Sequence, residues 1–130
     1  MQLYNEMEEY EAIPYLSKAA DLGSAEAALF CGSACFNQGY GNEAFKYFTI
    51  AYRLGVPSAG WHLALCYIGG TGTKKNKEKA IEVMRHAANM DYPEAVYEMY
   101  NLEPDNEIWQ QKLDSLNLQF DDFPIILNEE

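Results

Sequence analysis

The stretch CYIGGTGTKKNKEKA, residues 66–80, places glycines and lysines directly before a predicted helix, a combination that can bind phosphate groups. A phosphate-binding P-loop requires the pattern G-x-x-x-x-G-K-[ST]. Counted from Gly69 or Gly70, the position of the second glycine is occupied by Lys74 or Lys75. No strand–helix–strand pattern surrounds the stretch either. The sequence therefore predicts a loop that connects two helices, and not a nucleotide site.

The cysteines and histidines are the other residues that could carry chemistry. Cys31 and Cys35, and His62 and Cys66, are each four residues apart on predicted helices, and three thiolates with one imidazole would suit zinc. Aligning the repeats described below rotates the second pair by about 100° from the first, which does not bring the four side chains together. We therefore expect buried, reduced cysteines, no cofactor and no metal.

Catalysis has few candidate residues in this sequence. Neither His62 nor His86 has a recognisable nucleophile with an orienting acid. We therefore expect that the protein is not an enzyme. The alternative is an enzyme or a metal-binding repeat protein.

The charge of the chain is concentrated at its ends. The formal net charge is −11; residues 1–11 hold four acids and no base, and residues 98–130 hold nine acids against Lys112. Such ends repel nucleic acid and anionic lipid, and they favour a basic protein partner. No apolar run is long enough to span a membrane. With no basic and apolar leader at the start and an odd number of cysteines, we expect a cytoplasmic location.

Three segments of the chain align without a gap, which is typical of a repeat protein. They are EAIPYLSKAADLGSAEAALFCG, EAFKYFTIAYRLGVPSAGWHLA and KAIEVMRHAANMDYPEAVYEMY, beginning at Glu11, Glu43 and Lys79. In each segment, small or apolar residues recur at helical spacing and predict an amphipathic helix A. The residues expected to end helix A in the left-handed conformation are Gly23, Gly55 and Asp91. A second, more apolar helix B should then begin near Ser24, Pro57 and Pro93.

These units resemble the Sel-one-like repeats, which are relatives of the tetratricopeptide repeats. The resemblance covers residues 11–101 and is carried by YLSKAADLGSAEA, AGWHLALCYIGGTG and KAIEVMRHAANMDYPEA. It implies an all-α, right-handed α-solenoid of three helical hairpins. We expect the solenoid in residues 1–101, with units from about 11, 43 and 79, and a capping helix and acidic tail in residues 102–130. The apolar stripe predicted for the capping helix is Ile108, Trp109, Leu113 and Leu116.

The aromatic residues recur at helical spacing, so we interpret them as repeat core. That set is Tyr10, Tyr15, Tyr47, Tyr52, Trp61, Tyr67 and Tyr97. The face of each helix A opposite the core varies freely between units and is the predicted partner-binding surface, here called the A-helix stripe. Its residues are Lys18, Asp21, Lys46, Thr49, Arg53, Glu82, Arg85 and Asn89. An ordinary solvated face is the alternative. The resemblance favours binding, since A helices line the concave side in that family.

The function predicted from these features is a non-catalytic protein–protein interaction module of the adaptor or scaffold type. It would bind a protein with a basic surface through the A-helix stripe, through Asp121 and Asp122 of the acidic tail, or through both. We expect a monomer or weak oligomer. The alternatives are a small cytoplasmic immunity or antitoxin-type inhibitor of a cationic toxin, and a purely structural oligomer.

The alignment predicts the effect of one core substitution. Ala51 occupies a position of the repeat that holds alanine in all three units, as Ala19, Ala51 and Ala87. We expect the helices to approach closely there. Replacing Ala51 with Leu should lower the free energy of unfolding by about 1–3 kcal/mol, because the larger side chain overpacks the contact. Urea unfolding measures the change. A neutral effect would show that the predicted repeat register is wrong.

Overall fold

The structure is a computed structural model that describes residues 6–117 and 126–127, with side chains from residue 10 onward. These residues form seven helices and no strand. The helices are α1 (Glu6–Asp21), α2 (Ala25–Asn37), α3 (Gly41–Arg53), α4 (Pro57–Gly69), α5 (Lys77–Asn89), α6 (Pro93–Leu102) and α7 (Glu107–Leu116). The predicted all-α fold is confirmed.

The helices pair as three hairpins, α1–α2, α3–α4 and α5–α6, and α7 follows the third. Each helix packs mainly against the helices before and after it in the chain, and α4 also contacts α6. This pattern of contacts between chain neighbours is that of an α-solenoid, in which stacking of hairpins builds the core. Among the described residues, no helix is both long and apolar enough to cross a membrane.

The ends of the helices follow the predicted local chemistry. The residues after the A helices are left-handed, with φ of 102° at Gly23, 91° at Gly55 and 64° at Asp91. The B helices begin after Ser24, whose hydroxyl accepts the Ala27 N–H, and at the two predicted prolines. These boundaries are confirmed, because each one depends on a residue type that is suited to a single backbone position.

The core combines small residues with a few large ones. Ala44, Ala51 and Ala80 are fully buried, and so are Phe48 and Met84 on the same faces of α3 and α5. The equivalent residues of α1 are less buried, since Leu16 is half-buried. The described part of the chain places no further hairpin on the outer side of α1, so this face is only partly covered.

Helices α4 and α5 approach so closely that a side chain would not fit at Gly60. A Cβ atom there would lie 2.5 Å from the carbonyl oxygen of Val83 and 2.9 Å from the Cβ of Ala87. Gly60 therefore sets the spacing between the second and third units. Glycine is used here for its size, despite its cost within a helix.

The glycine-rich stretch that follows α4 is a connecting loop, as predicted. The Thr71 N–H donates to the carbonyl of Cys66, and the Asn76 N–H donates to the carbonyl of Tyr67, so the loop folds back on the end of α4. Asn76 then caps α5, because its side chain accepts the Lys79 N–H.

The capping helix α7 covers the third hairpin with Trp109 and Leu113, which are both buried. Asn106 caps its start by accepting the Ile108 N–H. The prediction was wrong for Ile108, whose side chain is 55% exposed. The buried residues of α7, Trp109 and Leu113, are four residues apart and lie on one face of the helix. Ile108 lies outside that face.

The contact at Gly60 predicts a sharp difference between two glycines of α4. Gly60→Ala should lower the free energy of unfolding by about 1–3 kcal/mol, because the Val83 carbonyl is backbone and cannot move away without shifting α5. Gly69→Ala is the control. A Cβ atom at Gly69 would contact only the Thr71 hydroxyl at 3.5 Å, so stability should stay within about 0.5 kcal/mol. Equal effects in urea unfolding would contradict the close approach.

Candidate functional site

The A-helix stripe predicted from the sequence lies mostly on the surface. Its exposed members are Lys18, Asp21, Lys46, Arg53, Glu82 and Asn89, whereas Thr49 and Arg85 are half-buried. The Thr49 hydroxyl donates to the carbonyl of Phe45 at 2.7 Å within the same helix. Six of these side chains are therefore free of core packing.

Part of the A-helix stripe comes together in a cleft between the second and third units, here called the α3–α5 cleft. Thr49 and Arg53 line it from α3, and Glu82 lines it from α5, together with Lys79. The cleft has a volume of about 250 Å³ and an aromatic base that includes Tyr52 and Tyr67. It places both signs of charge over apolar surface, an arrangement that can bind an amphipathic partner segment.

Lys79 and Glu82 form an ion pair at the edge of this cleft. The Lys79 Nζ lies 3.4 Å from the Glu82 Oε1, and both side chains are more than half exposed. Such a pair contributes little to stability, so both groups can exchange this contact for one with a partner. Lys18, Asp21, Lys46 and Asn89 do not line the cleft.

Arg85 makes an intramolecular ion pair that the sequence did not predict. The Nη1–H of its guanidinium donates to Glu103 Oε1 at 3.0 Å, and the Nη2–H donates to Glu103 Oε2 at 2.8 Å. The indole Nε1 of Trp109 also donates to Oε1, at 2.9 Å. These bonds lower the pKa of the Glu103 carboxyl from 4.5 to about 2, chiefly through Arg85 and then Trp109. Through Glu103, Arg85 of α5 is therefore linked to Trp109 of the capping helix.

A second carboxylate anchors the chain beyond α7. Glu98 in α6 is only 1% exposed. It accepts the Ile126 N–H at 2.6 Å and the Leu127 N–H at 3.1 Å. The side chain of Leu127 is buried in the core. Ile126 and Leu127 are thus fixed on the third hairpin, while the candidate residues Asp121 and Asp122 lie outside the described residues.

The three thiols are buried and stay protonated. Burial, with a smaller effect of Cys35, raises the pKa of Cys31 to about 12, and burial raises the pKa of Cys66 to about 11. His62 stacks on Phe48, with 4.8 Å between ring centroids, and its Nδ1 lies 2.9 Å from the Ser58 carbonyl oxygen. Within residues 10–117 and 126–127, no three His, Cys, Asp or Glu side chains lie together in a way that could hold a metal ion.

Two of the seven aromatic residues interpreted as repeat core are exposed, whereas the other five are buried or packed against the core. Tyr47 is buried as expected, but Tyr10 is 51% exposed and Tyr15 is 79% exposed. They lie beside Tyr40 along a groove at the first hairpin. Helical spacing could not have separated buried from exposed tyrosines here, because α1 carries aromatic or apolar residues on more than one face.

Stacked helical hairpins with a freely varying surface define a class of proteins that present extended binding surfaces. No family model matches this chain. The solved structure of a Sel1 repeat protein from Oxalobacter formigenes superposes with a TM-score of 0.67 and 30% sequence identity, covering 81% of this chain and 34% of that one. The chain therefore adopts the Sel1 repeat fold, an α-solenoid that typically serves as a non-catalytic interaction scaffold. The resemblance noted in the sequence is confirmed.

Curated relatives carry names that refer to binding or regulation. DAP3-binding cell death enhancer 1 of Rattus norvegicus is 33% identical over 85 residues, which is 64% of this chain and 17% of that protein. The Mus musculus protein of the same name matches to the same extent. Chitin synthase regulatory factor 3 of Schizosaccharomyces pombe is 28% identical over 78 residues, 60% of this chain and 8% of that protein. The chain thus matches only a small part of the length of these relatives.

The Glu103 site predicts a pH-dependent contribution to stability. The pKa of Glu103 is lower in the folded protein than its ordinary value of 4.5, so the ionised carboxylate stabilises the fold above about pH 4.5 and this effect is lost as the pH falls toward 2. At pH 7, Glu103→Gln should lower the free energy of unfolding by about 1–2 kcal/mol, because water screens this half-exposed pair.

Urea unfolding of wild type and variant between pH 7 and pH 2 measures this contribution. The difference between the two proteins should shrink steadily below pH 4.5. Glu82→Gln is the control, because it removes the same charge from an exposed ion pair and should cost less than about 1 kcal/mol. A difference between wild type and Glu103→Gln that does not change with pH would contradict the assignment.

Proposed function

We propose that this protein is a non-catalytic adaptor that binds a partner protein across its A helices, with the α3–α5 cleft as the central contact. The observation that carries this proposal is that Arg53 and Glu82, whose side chains are exposed, meet in one cleft that Thr49 also lines. The Sel1 repeat fold supports it, since repeat solenoids bind through extended surfaces of this kind.

The charges of the α3–α5 cleft indicate how a partner would be recognised. Arg53 of α3 lies opposite the Lys79–Glu82 pair of α5 in a cleft that Tyr52 and Tyr67 also line. A partner segment with an acidic and a basic side chain around an apolar residue would match this arrangement. Charged groups that become buried together fix the register of a complex and slow its dissociation.

In this proposal the partner has a basic surface, because the ends of the chain are acidic. The net charge of −11 would accelerate encounters with a positively charged protein, and this effect should weaken as salt shortens the Debye length. The names of the relatives, a DAP3-binding protein and a regulatory factor, agree with a role in binding.

The experiment is affinity capture of the partner with the full chain, followed by kinetic measurements with the purified partner. Arg53→Ala and Glu82→Gln should each speed dissociation, by an amount corresponding to about 2–5 kcal/mol if the charge is fully buried in the complex. The control is Lys74→Ala, which removes a charge from an exposed loop residue outside the cleft.

The dissociation rates decide the outcome. Faster dissociation for Arg53→Ala and Glu82→Gln, with an unchanged rate for Lys74→Ala, supports the α3–α5 cleft. If all three variants dissociate like wild type, the cleft is not the binding site. If only the overall charge mattered, Arg53→Ala and Lys74→Ala would change the rate in one direction and Glu82→Gln in the opposite direction.

A further inference from the structure

A larger groove lies at the first hairpin, away from the α3–α5 cleft. Helix α1 and the first half of α3 form its sides, and its volume is about 730 Å³, which is within the usual range for a small-ligand site. We call it the tyrosine groove, because Tyr10, Tyr15, Tyr40 and Tyr47 line it. Two carboxylates, Glu11 and Glu43, line it as well.

The tyrosines of this groove present aromatic surface to solvent. Tyr15 is 79% exposed, Tyr10 is 51% exposed and Tyr40 is 40% exposed. The rings of Tyr10 and Tyr40 meet edge to face across the groove, with 6.3 Å between their centroids. Tyr47 forms part of the base, and its hydroxyl lies 2.7 Å from the Ser17 hydroxyl. Single exposed tyrosines are common, but three that converge on one concavity form a recognition surface.

The groove carries negative charge that the described residues do not neutralise. No lysine or arginine is among the described residues that line it. The ion pairs found in the described part of the chain are Lys79–Glu82, Arg85–Glu103 and Lys112–Asp91, and none involves Glu11 or Glu43. The pKa of Tyr40 is raised, first by burial and then by Tyr10, Cys35 and Glu43. A cation that enters the groove could therefore pair with Glu11 or Glu43 without breaking an existing ion pair of the described residues.

One aromatic ring of the groove already attracts a cation. The ammonium of Lys46, which is not part of the groove lining, lies 5.0 Å from the centroid of the Tyr47 ring. This distance is within the range of a cation–π interaction. A guanidinium suits the remaining surface better than an ammonium, because its flat faces stack on aromatic rings while its edge pairs with a carboxylate.

We infer that the tyrosine groove binds an arginine side chain of a partner protein, stacked on the exposed tyrosines and paired with Glu11 or Glu43. This inference rests on the proposed function in taking the partner to be a protein, and it adds a second site with a defined chemistry. The α3–α5 cleft shares no residue with the groove. The two sites can therefore be tested separately.

The test uses the full chain with isotope-labelled tyrosines and two capped tripeptides as probes. One probe is acetyl-Gly-Arg-Gly-amide, and the other replaces arginine with citrulline, which has nearly the same shape and no charge. Titrated at low salt into the millimolar range, the arginine peptide should shift the resonances of Tyr10, Tyr15 and Tyr40. The citrulline peptide should leave them unchanged.

Variants of the groove separate its charge from its aromatic surface. Glu43→Gln should weaken the arginine peptide about threefold to fivefold, as expected for a partly exposed charge pair. Tyr15→Ala should weaken it about twofold to fivefold, and Tyr15→Phe should retain the affinity, because the ring and not the hydroxyl makes the contact. Tyr15 is largely exposed, so these substitutions do not disturb the core.

Glu78→Gln is the matched control, because Glu78 and Glu43 both lie in the first turn of an A helix and are exposed. It removes the same charge outside the groove and should leave the affinity unchanged. The inference is overturned if the arginine peptide does not shift the tyrosines, if citrulline binds equally well, or if Glu78→Gln weakens binding as much as Glu43→Gln. None of these results affects the α3–α5 cleft, whose test uses Arg53 and Glu82.

Discussion

The close approach of consecutive helices is the constraint on which the rest of this structure depends. Gly60 lies directly against the Val83 carbonyl, and the alanines at equivalent repeat positions, such as Ala44, Ala51 and Ala80, are completely buried. A side chain at Gly60 would displace a helix, and the alanines lie where the core is already closely packed. The spacing between the second and third hairpins is therefore set by a residue without a side chain.

This constraint separates the residues that build the fold from those available for binding. One face of each A helix is used for close packing, and the opposite face is left to vary. The α3–α5 cleft and the tyrosine groove share this scaffold and differ in chemistry. The α3–α5 cleft carries both signs of charge, with Arg53 opposite Glu82, whereas the tyrosine groove carries Glu11 and Glu43 among exposed rings.

The last hairpin of a stack has an apolar face with no further hairpin to cover it. In this protein α7 and residues 126–127 cover that face, and polar contacts fix their positions. Arg85 holds Glu103, which also accepts the Trp109 indole N–H, and Lys112 of α7 pairs with Asp91 in the turn between α5 and α6. The buried carboxylate of Glu98 fixes the backbone of Ile126 and Leu127. Hydrophobic burial attracts the cap, and these directional bonds determine where it sits.

The sequence by itself determined the features that depend on local chemistry. The repeat period, the left-handed residues Gly23, Gly55 and Asp91, and the prolines that begin two B helices were all predictable, because each follows from helical spacing or from one residue type. The buried cysteines were predictable for the same reason. The exposed positions of the A-helix stripe followed from the same periodicity.

Tertiary structure alone decided which distant residues meet. Arg85 shared the spacing of the exposed stripe, yet it pairs with Glu103, eighteen residues away. Tyr15 shared the spacing of core aromatics, yet it lines an open groove. Ile108 was predicted to lie on the same apolar stripe as Trp109, yet its side chain is exposed while that of Trp109 is buried. Periodicity specifies the face of a helix on which a side chain lies. What that face contacts depends on how the helices pack, because contacts between separate elements are not encoded in local spacing.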